Sequence, residues 1–303
     1  MGTLQDRVIV ITGGSRGLGL ASARACAREG AAVVLAARDE GAVAQAEATL
    51  QGEGLQVVGT TCDVSDTEQV EALAQFAVAH FKRFDVWVNN AGYSAPYGPA
   101  AHVAPSAFMR VIETNIIGTY SGSMVALRYF LPARRGKLIN ILGRGSNGEA
   151  SPNQAAYAAS KAWEASFTRS LAKDYRDSGI GIHAYNPGMM TTDFLTDLVA
   201  VAGFERRLQR AMPTIIRMWA KPPEVPAQRV AWLASAATDG KTGLELREMN
   251  ALNMAAGALR EGWARLTRRQ PAGPEVKITL VPAVLPLPPR HGAPVGEKWE
   301  RGS

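Results

Sequence analysis

The chain has little cysteine and no long apolar run. Its two cysteines among 303 residues, Cys26 and Cys62, fall in a helical pattern and at a strand end. A disulfide framework or a thiolate metal site needs more cysteines at clustered spacings, so neither is expected. No stretch approaches the roughly twenty consecutive apolar residues of a membrane-spanning helix. The opening residues, MGTLQDRVIVITGG, contain no basic leader region or cleavage site and run straight into a strand-like segment. Cytoplasm is the expected compartment. There is also no basic patch interleaved with aromatics. The net charge of +6 is modest and spread along the chain, which suits anionic small ligands better than nucleic acid. What is present, 47% apolar and 20% charged residues, is the composition of a globular protein with ample length for a buried core.

The segment RVIVIT (7–12) is a short β-branched apolar run. It is followed by Thr12-Gly13-Gly14-Ser15-Arg16-Gly17-Leu18-Gly19 and then by a helical pattern to Arg28. Strand, glycine turn and helix are the context in which a Gly-rich motif binds a pyrophosphate. Gly13 permits the tight turn, Gly17 and Gly19 permit close backbone approach, and the helix N-terminus faces the negative charge. A second strand, 32–37, ends at Arg38. An acidic residue there would read a ribose 2′-hydroxyl, whereas an arginine accommodates a 2′-phosphate. Arg38 and Arg16 together can bracket such a phosphate, which favours NADP(H) over NAD(H), with Asp39 next door tempering the preference. Further on, a third strand near 55–60 precedes Cys62-Asp63-Val64. Asp63 either accepts from an adenine amino group or caps the helix beginning near Asp66. A fourth strand, 84–89, ends in Asn89-Asn90-Ala91-Gly92, small and amide residues that suit a sheet edge lying against a cofactor.

Tyr157 and Lys161 are four residues apart, on one face of a helix predicted over 154–178. An unperturbed tyrosine has a pKa of about 10 and is a poor acid or base at neutral pH. A nearby ammonium favours the phenolate, so Lys161 is expected to pull Tyr157 toward the working range.

Taken in order, these motifs resemble the short-chain dehydrogenase/reductase family over roughly residues 5–247. The matching residues are Thr12-Gly13-x-x-x-Gly17-x-Gly19, Asp63, Asn89-Asn90-Ala91-Gly92, Asn115, Tyr157-x-x-x-Lys161, Asn186-Pro187-Gly188 and Thr192. The resemblance implies an α/β fold: a single-domain, Rossmann-type, doubly wound parallel sheet of about seven strands. It implies cofactor contacts from Gly13, Ser15, Arg16, Gly17, Leu18, Gly19, Arg38, Asp63, Val64, Asn90, Ala91 and Gly92. Further contacts would come from Tyr157, Lys161, Pro187, Gly188, Met190 and Thr192. It also implies Tyr157 as proton donor or acceptor, Lys161 as its tuner, and Asn115 as a helix-interrupting residue that supports the lysine through water. Its usual assembly is a homodimer or homotetramer, with the Tyr157 helix in the seam.

One departure is plain. The family places a serine after strand five, about thirteen residues before the tyrosine. Here the sequence reads Leu142-Gly143-Arg144-Gly145-Ser146. Aligned on the strand, Gly143 takes the serine place, and counted back from Tyr157 the residue is Arg144. Losing such a donor typically costs about a hundred- to a thousandfold in rate. Ser146 swinging in on a permissive glycine loop, Arg144, or a group on the substrate are the possible replacements. The alternatives to simple carbonyl reduction are carbon–carbon cleavage, elimination, another reduction, or an NADP(H) sensor without turnover.

Residues 193–221 occupy the family's variable substrate lid and are rich in apolar side chains. With Tyr93, Tyr97, Met189 and Met190 they suggest a small-molecule substrate with apolar or aromatic character. Residues 248–303 form an extension beyond the family's usual end: a helical segment to about 269, an extended arm over 276–282, then a Pro/Gly-rich tail.

Overall fold

The structure is a computed structural model, and it describes residues 2–267 and 275–285. The Pro/Gly-rich tail expected over 285–303 lies, from residue 286 onward, outside the described residues. In chain order the first half comprises β1 (Val8–Thr12), α1 (Gly17–Arg28), β2 (Ala32–Ala37), α2 (Glu40–Gly52), β3 (Val57–Thr61), α3 (Thr67–Phe81) and β4 (Val86–Asn89). Then come α4 (Pro105–Val111), a π-helical segment (Ile112–Ile117), α5 (Gly118–Ala133), β5 (Lys137–Ile141), α6 (Ala155–Asp174) and β6 (Gly181–Asn186). The remainder is α7 (Asp193–Thr196), β7 (Asp197–Val201), α8 (Glu205–Trp219), α9 (Glu224–Ala234), β8 (Glu245–Arg247), α10 (Ala251–Leu266) and β9 (Lys277–Val281).

Seven strands form one parallel sheet in the order β3-β2-β1-β4-β5-β6-β8. The central strands are short runs of Val, Ile and Leu because both faces are covered. Alternate residues feed opposite cores. Ile9, Ile11, Val33, Leu35 and Ile139 pack with α1, α2 and α9. Val10, Val34, Trp87, Leu138 and Ile182 pack with α3, α5 and α6. The strand order reverses between β1 and β4, and the crevice outside the carboxyl ends of these strands is where such sheets bind ligands.

Within the helical stretch 105–131, α4 passes into the π-helical segment around Asn115 before α5 resumes, the interruption that the family resemblance implies. Two differences from the sequence reading matter. Asp66, not Asp63, caps α3, accepting from the Glu68 and Gln69 amides. Residues 193–221, expected as a substrate lid, contain a strand, β7, which pairs in parallel with β9 from the extension. Elsewhere element ends shift by one to four residues, the largest being the end of α6 at Asp174.

Candidate active site

The glycine turn has the shape that its sequence requires. Gly13 and Gly17 adopt positive φ of 63° and 54°. A Cβ on Gly19 would run into the Gly13 carbonyl and come within 2.6 Å of Asn90 Nδ2. The turn is tied to the end of β4: Asn90 Nδ2 donates to the Thr12 and Gly13 carbonyls at 2.9 and 3.1 Å, and the Asn90 and Ala91 amides donate to Thr12 Oγ1. α1 has no side-chain cap and no acid in its first turn, so its leading N–H groups are available to an anion. These residues fit the pyrophosphate of a dinucleotide.

Arg38 and Arg16 flank this turn, both exposed, each 3.9 Å from a carboxylate, Asp63 and Asp193 respectively. Asp39 is committed elsewhere, accepting from the Ala42 amide as the cap of α2. Asp63 accepts from the Ser65 amide and hydroxyl, with its other oxygen toward Arg38. Thr192 closes the far side: its methyl lies 3.6 Å from where a Cβ on Gly17 would stand. Met190 is bridged to Lys221 beside it, and Gly188, at φ 72°, turns the chain after Pro187.

Tyr157, Lys161 and Asn115 converge on Gly92 and Gly143. A Cβ on Gly92 would lie 3.7 Å from Asn115 Oδ1 and 3.8 Å from Lys161 Nζ. Asn115 is fully buried. It accepts from the Tyr93 amide and donates to the Tyr93 carbonyl and to Ser160 Oγ, which joins the π-helical segment to α6. Lys161 Nζ, 5.8 Å from the Tyr157 ring centre, donates to the Ile141 carbonyl at 3.0 Å and to both oxygens of Glu164 at 2.9 and 2.8 Å.

That carboxylate was not anticipated from the sequence, and it changes the electrostatics. The expectation was a phenol pulled toward neutrality by Lys161. Instead Tyr157 is pushed above its usual range, first by burial, then by the negative charge of Glu164, then by Tyr97. Glu164 itself is raised to about 7 by burial, against the opposing pull of Lys161. The signal available in the sequence was Glu164 three residues past Lys161, a spacing that reads equally well as a surface ion pair.

The sequence reading aligns Gly143 with the serine place of the family. Gly143 lies directly against the Tyr157 hydroxyl, and a Cβ there would run into Oη. The phenol thus leans into the room that a serine side chain would take. Ser146 is buried, and its hydroxyl accepts from Asn186 Nδ2 at 3.1 Å. Among the described residues no hydrogen bond joins it to Tyr157. Arg144 is exposed and faces Tyr97, whose phenol is raised by burial and partly lowered again by that guanidinium. On the lid side, the Phe194 ring centre stands 5.7 Å from that of Tyr157. Tyr93 carries Arg110 over its face at 4.4 Å.

Among the described residues no helix is long and apolar enough to cross a membrane, and no cluster of three His, Cys, Asp or Glu could hold a metal ion.

Comparison with known proteins agrees with this geometry. The family model described as short chain dehydrogenase matches residues 7–202. The cis-4-hydroxycyclohexanecarboxylate dehydrogenase of Sinomonas cyclohexanicum is 37% identical over 78% of this chain and 93% of its own length. The 3beta-hydroxysteroid dehydrogenase 1 of Eggerthella lenta is 33% identical over 80% and 92%. A tryptophan variant of actinorhodin polyketide ketoreductase, solved with NADPH, superposes with a TM-score of 0.71 at 27% identity, covering 84% of this chain and 99% of its own. The 3-ketoacyl-(acyl-carrier-protein) reductase of Brucella melitensis, solved with NADH, gives 0.72 at 27% identity, covering 81% and 97%. These matches, with a doubly wound sheet, a glycine turn on an uncapped helix, and a half-buried Tyr157 beside a buried Lys161 at the crevice, place the chain in the short-chain dehydrogenase family of oxidoreductases.

Proposed function

We propose that the chain is an NADP(H)-dependent oxidoreductase that interconverts a ketone and a secondary alcohol. The observation that carries this reading is the convergence of Tyr157, Lys161 and Asn115 at the mouth of the glycine-turn crevice. A bound nicotinamide would supply or accept the hydride there. Tyr157 Oη is the atom that gives its proton to the carbonyl oxygen during reduction and takes it back during oxidation. Lys161 orients the phenol and would hold the nicotinamide ribose. Asn115 fixes the π-helical segment and supports the lysine through water. Arg38 and Arg16 are the proposed 2′-phosphate ligands; Asp39 is engaged in capping α2, and the carboxylates that face the two arginines are Asp63 and Asp193, each at 3.9 Å.

The substrate fitting this site is a cyclic, largely apolar ketone or alcohol. Phe194 and Tyr97 line the approach to Tyr157, and the two dehydrogenase relatives named above act, by their names, on ring-borne hydroxyls. For the donor lost at Gly143, Arg144 and Tyr97 are better placed than Ser146, which is drawn to Asn186. The chain acts as a homodimer or homotetramer through the outer faces of α5 and α6, where Tyr120, Trp163 and Phe167 form an aromatic strip. NADPH oxidation with a panel of substituted cyclohexanones and steroid ketones tests the assignment. Turnover is expected, and tight NADPH binding with no turnover on any ketone or alcohol would instead favour the sensor or atypical-chemistry alternatives.

A further inference from the structure

Glu164 is the buried titratable group that the proposed reaction leaves without a role. It stands one turn beyond Lys161 on α6 and is 1% exposed. An ammonium has three protons to donate. On Lys161 the acceptors are the two Glu164 oxygens and the Ile141 carbonyl. These contacts hold the ammonium between α6 and the end of β5.

A buried carboxylate costs several kcal/mol in desolvation, and apolar residues often fill such a position at no loss of stability. Its placement on Lys161 therefore has a consequence beyond packing. A lone ammonium near a phenol favours the phenolate. A carboxylate bound to that ammonium cancels much of the field. The titratable and charged groups facing Tyr157 are Lys161 and Glu164 on its own helix, Tyr97 from the segment after β4, and Arg144 beyond Tyr97 from the segment after β5. The π-helical segment brings Asn115, which does not titrate and is bonded to α6 through Ser160.

We propose that Glu164 is a positioning residue for Lys161, pinning the ammonium beside Tyr157 and screening the phenol from its charge, so that the site keeps the protonated phenol that carbonyl reduction requires. The proposal rests on Tyr157 being the proton donor, but its electrostatic content can be read without turnover. In the full-length chain the phenolate ultraviolet absorbance is titrated in wild type and in Tyr157→Phe, and the difference isolates Tyr157. The same pair is then measured in a Glu164→Gln background. The Tyr157 transition should fall by about one pH unit or more once the screening charge is gone. Glu164→Asp, which keeps the charge, should hold it near the wild-type position. If Glu164→Gln does not fold, as judged by circular dichroism, Glu164→Leu carries the same expectation. An unmoved transition in the folded variant overturns the proposal, whether or not ketones are reduced. A shifted transition in a protein whose Tyr157→Phe form still turns over would sustain the screening role while refuting Tyr157 as the acid.

Discussion

Gly143 carries the largest consequence per atom in this chain. It sits against the Tyr157 hydroxyl, and having no side chain is what lets the phenol occupy that space. Gly143→Ala adds only a Cβ, yet that Cβ must displace Oη. A misplacement of about 1 Å can cost up to about a hundredfold in rate. The expected outcome is a fall in kcat of at least tenfold with KM little changed, and unaltered kinetics would show that the phenol is not held where the structure puts it. Arg38→Asp addresses the cofactor. Removing a charged contact to a phosphate is worth about 1.5–3 kcal/mol, so NADPH affinity should drop by about ten- to a hundredfold while NADH affinity does not. Equal loss for both would refute the phosphate role. The placement of the glycine turn, Arg38, Asn115 and the Tyr157–Lys161 pair around one crevice was legible in the sequence. Glu164 was not, because an acid three residues from a lysine is the commonest pattern of a solvated helix face, and only burial distinguishes the two.

At the scale of elements, the extension is bound to the lid. β9 adds to β7, β7 is bonded on its other side to Tyr97, and α10 lies along α8. Arg217 on α8 meets Glu261 on α10 at 2.8 Å, and Arg260 donates to the Met218 carbonyl at 2.9 Å. Gly257 sets the closeness of the two helices, since a Cβ there would stand 2.5 Å from the Met218 oxygen and 2.6 Å from the Trp219 ring. Gly257→Val should therefore lift α10 from α8. Overpacking of this kind costs about 1–3 kcal/mol. The expected result is faster limited proteolysis within residues 193–221 and a raised KM with kcat preserved. Unchanged proteolysis would mean that the lid holds its place without the extension. The sequence suggested a helix and an arm beyond residue 248, and both form. That the arm pairs with the lid was out of reach, because the partners, Asp197 and Lys277, are eighty positions apart and a parallel pair carries no turn signal between them. The π-helical break was likewise legible only through the family resemblance around Asn115, since nothing in the helical propensity of IETNII interrupts α4.

For the whole molecule, the sheet that positions the site also carries a pH liability. His183 on β6 is fully buried, and neither ring nitrogen has a hydrogen-bond partner among the described residues. Burial, with Lys137 nearby, lowers it to about 4 from an ordinary 6.5. A depressed pKa means that the unfolded chain takes up the proton first. The stability this group contributes is present above pH 6.5 and is lost as the pH falls toward 4. The melting temperature should fall over that window, and His183→Leu should flatten the fall. An equally steep fall in the variant would assign it to other groups. The central claim, however, is that Tyr157 donates the proton in a nicotinamide-dependent carbonyl reduction. The most direct test is the rate of NADPH oxidation by wild type and Tyr157→Phe, on the best ketone of the panel, across pH. Wild type should hold its rate through neutrality because burial and Glu164 keep the phenol protonated, and Tyr157→Phe should lose about a hundred- to ten-thousandfold. A Tyr157→Phe enzyme that reduces the same ketone at the wild-type rate would contradict the account.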